Sequence, residues 1–331
     1  RRAVIKMHGS IAANSTWEQP PIITRSDFER YESDHPRTWT VLRSSYMSRT
    51  MLFLGFSFSD ANVEILLRLA RTLGTAHGDR HIAVMKTPSG GTADDARQHQ
   101  LRVADLEKSG ITVCEIDRHE EVPEILADLV LRTRPEHLFV AGSSGITGAT
   151  PAEEDAVLQP WCAAIAATMI DEPGWTISSL GGRAGWLTTR DVAGTRRKEG
   201  TYDPGKLLIH FRGKNEPPVV PDDRVGTSIY SDLTREQLVP SILDSCRALV
   251  AICGGSRTAE EIAWALDRNV PVIPLAASGG AARDYWEANR TAPPDTGSRP
   301  TDPGTWDLLN DDDAHVAARA VKRILDQAMY K

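Results

Sequence analysis

Cysteine is scarce in this chain: Cys114, Cys162, Cys246 and Cys253 are the only four in 331 residues, and they form no C-x-x-C pair. That spacing argues against a zinc ribbon or a disulfide framework, so no metal is expected and a reducing cytoplasm is the expected setting. Long apolar runs are missing too. The longest candidate, Met51 to Phe58, is strand-sized, well short of the roughly 18 residues that cross a bilayer, so no membrane span is expected. The Arg1-Arg2 start lacks a following apolar segment, which excludes a secretory signal, and the missing initiator Met is what a trimmed or internal fragment would have. Net positive charge is also absent. The chain carries −7, with 18 basic and 18 acidic residues in 1–135 and 20 basic against 27 acidic in 136–331. An acidic second half argues against extended nucleic-acid binding, which draws its affinity from phosphate neutralisation, and leaves small anions held by a few local arginines.

What is present suits two cores: 331 residues with 40% apolar content. In the first half, Thr50 to Gly55 reads as a buried strand and Asp60 to Leu69 as a helix with Asp60 at its N-cap. Strand-like His81 to Met85, a polar helix from Asp94 to Ser109, strand-like Ile111 to Ile116 and a helix from Val122 to Leu131 continue the alternation. The helical period stops near Arg132-Thr-Arg-Pro, which sets the expected domains at 1–134 and 135–331. In the second half, strands are expected at His137 to Ala141, Trp175 to Ser179, Leu207 to Phe211, Ala248 to Cys253 and Val270 to Leu275. Helices are expected at Glu153 to Ile170, Arg235 to Cys246 and Ala259 to Asp267, with a last one after Asp311. The fold class is therefore α/β, two Rossmann-like domains, the second a doubly wound parallel sheet.

Ligands of such sheets bind beyond the carboxyl ends of the strands, where glycine lets the backbone approach and helix N-termini offer free N–H groups to phosphate. Three expected strands end in glycine: Gly142-Ser143-Ser144, Gly181-Gly182-Arg183-Ala-Gly185, and Cys253-Gly254-Gly255-Ser256-Arg257-Thr258-Ala-Glu260-Glu261. Any one of them could simply turn the chain; three together point to a site. Arg212 and Lys214, just past a fourth strand, are the further anion contacts, and Glu261 also suits the first turn of a helix whatever the ligand.

These loops resemble the SLOG superfamily, whose lysine-decarboxylase-like (LOG) members carry G-G-R-x-G-x-M after one strand and P-G-G-x-G-T-x-E-E after another. Here Gly181-Gly182-Arg183-Ala-Gly185 matches the first motif, and Gly254, Gly255, Thr258, Glu260 and Glu261 match the second. Cys253 stands at the proline and Arg257 at the second glycine, so a cation enters the phosphate loop. The resemblance thus implies a sensor that binds a nucleotide without cleaving it.

The first half carries Lys6-Met-His8-Gly9, Ile23-Thr-Arg-Ser-Asp27-Phe28 and Phe53-Leu-Gly55-Phe-Ser57-Phe-Ser-Asp60-Ala-Asn62. Jointly they resemble the zinc-free branch of the sirtuin-like NAD-binding fold found in bacterial defence proteins. About 46 residues separate His8 from Gly55 and none is cysteine, so the zinc module of the protein deacylases is absent. The resemblance implies His8 as general base near the nicotinamide ribose, with Gly9, Gly55 and Ser57 against the ADP-ribose portion of NAD, which is substrate. Loss of nicotinamide builds an oxocarbenium-like centre, and a base with a pKa near neutrality can activate a ribose hydroxyl or water beside it. The family's first glycine-rich loop and its partner asparagine precede the His-Gly motif and are not in this chain, so the chain by itself is expected to be inactive.

A sirtuin-like domain followed by a SLOG domain is the arrangement of effectors of the Thoeris anti-phage system. The resemblance implies a companion TIR-domain protein that makes a cyclic ADP-ribose-type signal, a SLOG domain that binds it, a homo-oligomer, and NAD depletion. Two alternatives stay open. One is a LOG-like nucleotide phosphoribohydrolase using Arg183 and Glu261; the other is a nucleotide-sensing module with no catalysis.

Overall fold

A computed structural model describes residues 22, 24–56, 58, 81–90, 92–213 and 225–330. They fall into two compact α/β units, Arg1–Glu124 and Ile125–Lys331. The expected helix from Asp60 to Leu69 lies outside the described residues.

In the first unit, three short helices, α1 (Arg25–Glu29), α2 (Tyr31–Asp34) and α3 (Pro36–Ser48), precede the strand β1 (Leu52–Leu54). Pro36 opens α3, where its missing N–H costs nothing. Then come β2 (His81–Lys86), α4 (Ala93–Lys108) and β3 (Ile111–Ile116). A reciprocal capping box between Thr92 and Asp95 starts α4. The strands form a parallel sheet in the order β1-β2-β3, with Leu52 opposite Ile82 and His81 opposite Ile111. Trp39 and Tyr46 lie seven residues apart on one stripe of α3, and with Tyr31 of α2 they pack against Phe53, Ala83 and Leu106 as this unit's core.

Helix α5 (Glu121–Thr133) runs across the division between the units, ahead of the composition break at Pro135. Its second half is tied into the second unit: Tyr330 donates to Asp128 Oδ1 at 3.0 Å, and the Arg132 guanidinium lies 4.6 Å above the Tyr330 ring. Those contacts give the division a physical reason.

The second unit contains β4 (His137–Ser143), α6 (Pro151–Thr168), β5 (Thr176–Ser179), α7 (Arg183–Glu199), β6 (Leu207–Arg212) and β7 (Thr227–Ser231). These are followed by α8 (Arg235–Leu243), β8 (Ala248–Cys253), α9 (Ser256–Leu266), β9 (Val272–Leu275), α10 (Gly280–Ala288), α11 (Pro303–Asp307) and α12 (Ala314–Ala328). All six strands are parallel, in the order β7-β6-β5-β4-β8-β9. The order reverses between β4 and β8, and such a reversal is where an open α/β sheet leaves a crevice.

Helices cover both faces of the sheet, so its central strands are apolar without alternation: every residue of β8 is buried. Along β4, Leu138 and Val140 join one core with Trp175, Leu187 and Ile324, while Phe139 and Ala141 join the other with Leu243, Leu249 and Ile262. Edge strand β7 and helices α7, α10 and α11 add to the elements read from the sequence in this unit. The described residues include no helix long and apolar enough to cross a membrane.

Candidate functional site

The sheet's carboxyl edge opens at the reversal into a cleft of about 820 Å³. The three glycine loops meet there. Gly142 and Ser143 end β4, Gly181 and Gly182 follow β5, and Arg257, Thr258 and Glu261 begin α9, all lining the cleft with Arg212 at the end of β6.

Two glycines explain the close approach. A side chain on Gly142, at φ 147°, would put its Cβ 2.0 Å from the Ile252 carbonyl oxygen on β8, the residue's own register partner. One on Gly254, at φ 96°, would lie 2.3 Å from Thr258 Oγ1. Cys253 before it also has positive φ, 53°, which proline cannot adopt, so the loop departs from the P-G-G motif in conformation as well as in sequence. The Cys253 N–H donates to Ser278 Oγ at 2.6 Å and its thiol to the Ser144 carbonyl at 3.4 Å, fixing the β8 loop against the β4 loop. Burial pushes the Cys253 thiol pKa upward, which keeps it protonated as that donor.

Helix α7 has Gly182 at its N-cap and α9 has Gly255, and neither receives a side-chain cap. Helix α6 begins instead on Thr150 with a complete capping box, and at the start of α8 the Thr234 N–H donates to Gln237 Oε1 at 3.2 Å. Two helix ends without a side-chain cap, together with Arg257 and Arg212, put backbone N–H donors and positive charge at one edge of the cleft.

Sequence reasoning missed the cleft's most buried cation, Arg235, whose side chain is 11% exposed. It lies in the first turn of α8, donates to Glu261 Oε1 at 2.9 Å, and also bonds Glu260 and the Arg257 carbonyl. Its guanidinium sits 4.8 Å above the Trp264 ring. Burial pushes the Glu261 pKa up, and the Arg235 hydrogen bond and charge oppose that rise. Glu236 is held below the usual carboxylate range, first by a hydrogen bond from its own backbone N–H, then by the Thr234 hydroxyl, with Arg212 and Arg235 adding their charge. Glu154, which accepts from Ser144 Oγ at 3.1 Å, and His210 complete the polar lining that the loop motifs did not reveal.

Arg183 is placed differently. Its guanidinium holds both oxygens of Asp155, Nε to Oδ1 and Nη2 to Oδ2 at 2.6 Å each, and it is not among the cleft-lining residues. Gly254 and Gly255 shape the loop and are not lining residues either.

In the first unit, Gly55 ends β1 at φ 65°, a left-handed turn that favours glycine. Asp27 Oδ2 accepts the Thr24 N–H at 2.8 Å beside the first turn of α1. His8, Gly9, Ser57 and Lys214 lie outside the described residues.

Comparison with known proteins adds the chemistry of relatives. Residues 1–114 match the model of the SIR2-like domain. The chain is 30% identical over 155 residues to the NAD(+) hydrolase ThsA of Enterococcus faecium, covering 43% of this chain and 32% of that protein. With the protein of the same description from Bacillus cereus (strain MSX-D12), identity is 22% over 299 residues, covering 86% of this chain and 59% of that one. The one from Acinetobacter baumannii (strain 532279) is 28% identical over 152 residues, with 44% and 31% covered. Among solved structures, that of TM1055, a structural-genomics target, matches with 20% identity and a TM-score of 0.37, covering 46% of this chain and 80% of that one. The chain spans between about a third and three fifths of the length of these ThsA relatives. It is thus a two-unit α/β chain with a SIR2-like region at residues 1–114 and sequence similarity to the ThsA NAD(+) hydrolases.

Proposed function

We propose that this chain belongs to a cytoplasmic anti-phage effector that hydrolyses NAD to nicotinamide and ADP-ribose once a cyclic ADP-ribose-type nucleotide occupies the second-unit cleft. What carries the sensor role is the meeting in one cleft of Gly182 at the start of α7 and Ser256 in the first turn of α9 with Arg212 and Arg257. Such an edge suits the phosphates of a dinucleotide. The similarity to NAD(+) hydrolases and the SIR2-like match at residues 1–114 support NAD as the substrate of the first unit.

In this reading His8 is the general base at the nicotinamide ribose, and Gly9, Gly55 and Ser57 contact the ADP-ribose portion. Ser143, Thr258 and Lys214 join the signal contacts, while Arg183 holds Asp155 and thereby the start of α7 against α6. The signal comes from a TIR-domain partner that makes a cyclic ADP-ribose-type nucleotide. It acts by favouring the active arrangement of a homo-oligomer over the resting one, since a ligand without differential affinity shifts nothing.

Two outcomes test this. The complete protein, incubated with NAD, should consume it only when a cyclic ADP-ribose isomer is added, and His8→Ala should abolish that loss while leaving signal binding intact. NAD consumption that survives His8→Ala would remove the assigned base. Arg257→Ala should weaken signal binding roughly tenfold to a hundredfold, the range of one charged hydrogen bond, as read by titration calorimetry. Unchanged affinity would take Arg257 out of the site.

A further inference from the structure

Two buried histidines stand on strands of the second unit's sheet that flank β5, and they are treated differently. His137 on β4 is engaged at both ends of its ring, Nε2 with Ser178 Oγ at 2.5 Å and Nδ1 with Ser245 Oγ at 3.1 Å. His210 on β6 is only 8% exposed and lines the cleft, and both of its ring nitrogens are buried without a hydrogen-bond partner among the described residues. Buried polar groups in folded proteins are almost always paired, so a bare imidazole lining a ligand-sized cleft calls for a partner from outside the chain.

The chemistry of that partner follows from the ring. Burial depresses the His210 pKa, and the neutral imidazole presents one donor and one acceptor. A phosphate, which only accepts at neutral pH, matches the helix N-termini and arginines of the rim better than this ring. A ribose hydroxyl or a base edge both donates and accepts. Phe211, the next residue, also lines the cleft and stacks on Tyr230 with ring centroids 5.5 Å apart.

We propose that His210 is the specificity-determining residue of the cleft, reading a neutral donor–acceptor edge of the nucleoside portion while the glycine-capped helix ends hold the phosphates. This rests on the nucleotide-binding role proposed for the cleft.

The test is titration calorimetry of the full chain with ADP-ribose, ribose 5-phosphate and pyrophosphate, for wild type, His210→Phe and His210→Gln. His210→Phe should weaken ADP-ribose by about tenfold or more and leave pyrophosphate unchanged. Ribose 5-phosphate weakened in parallel assigns the edge to a ribose hydroxyl; ribose 5-phosphate unaffected assigns it to the base. His210→Gln, which keeps a donor and an acceptor, should retain most of the affinity. Equal ADP-ribose affinity in wild type and His210→Phe would overturn the assignment, and so would a loss of pyrophosphate binding in step with ADP-ribose, which marks a structural role. Failure of the nucleotide role itself is read in the wild type: pyrophosphate binding without ADP-ribose binding, or no binding at all, overturns both.

Discussion

Arg235→Ala is expected to destabilise the second unit by about 3 kcal/mol, because it strands a buried carboxylate. The side chains of Arg235 and Glu261 are 11% and 10% exposed and meet at 2.9 Å, so the pair is shielded from solvent and salt in a way surface ion pairs are not. At that cost the melting temperature should fall by roughly 6–12 °C. The loss should depend on pH in a defined direction. Burial already raises the Glu261 pKa above its ordinary value of 4.5, and removing Arg235 raises it further. A carboxyl with a raised folded-state pKa contributes stability that is fully present below the unfolded pKa and lost as pH rises toward the folded one. The deficit of Arg235→Ala should therefore be larger at pH 8 than at pH 5. Adding Glu261→Gln should recover most of it, and thermal unfolding of the four proteins of this cycle measures the coupling. A loss below about 1 kcal/mol that ignores pH would mean that the pair behaves as a solvated one.

Gly142→Ala should be about as damaging, by a different route. The new methyl would stand 2.0 Å from the Ile252 carbonyl oxygen and 3.0 Å from Ala184 Cβ, at a φ of 147° that L side chains rarely adopt. Ile252 is hydrogen-bonded sheet backbone opposite Gly142, so relief requires opening the β4–β8 pairing where the cleft begins. Overpacking and backbone strain together come to roughly 3 kcal/mol or more, with ligand binding lost in whatever protein remains folded. Gly255→Ala is the control: its nearest neighbour would be Gly145 Cα at 3.8 Å and its φ is −108°, so the cost should stay near 1 kcal/mol. Equal effects at the two glycines in denaturant unfolding would contradict the steric account.

These contacts also show how far the sequence could be read. Strands β4 and β8 announced themselves as apolar runs ending in glycine, because helices cover both faces of the sheet. Edge strand β7 did not: Thr227–Ser231 is short, polar and half exposed. With β7 unread, Arg235 just beyond it was taken only as the start of a helix, although it is the cleft's most buried arginine. Helix α7 was obscured by its composition. Its buried stripe includes Gly185, Thr188 and Thr189, and even Arg196, which is fully buried and donates to the carbonyls of Met169 and Glu172.

Arg183 shows the limit of a motif. It occupies the arginine position of the G-G-R loop, yet Asp155 holds it from α6, a partner set by tertiary packing that no local pattern carries. Glu261 lies at the other extreme, an acid that any helix would accept in its first turn and that the fold has buried against Arg235. His210 was read only as part of a strand, and it is the place of β6 at the sheet's carboxyl edge that brings it to the cleft lining.

Titration calorimetry of the full chain with cyclic ADP-ribose isomers tests the central claim most directly. The cleft should give saturable one-site binding to at least one isomer, weakened in Arg257→Ala and unaffected by His8→Ala. No binding of any ADP-ribose derivative to the folded chain, or binding that Arg257→Ala leaves untouched, would contradict it.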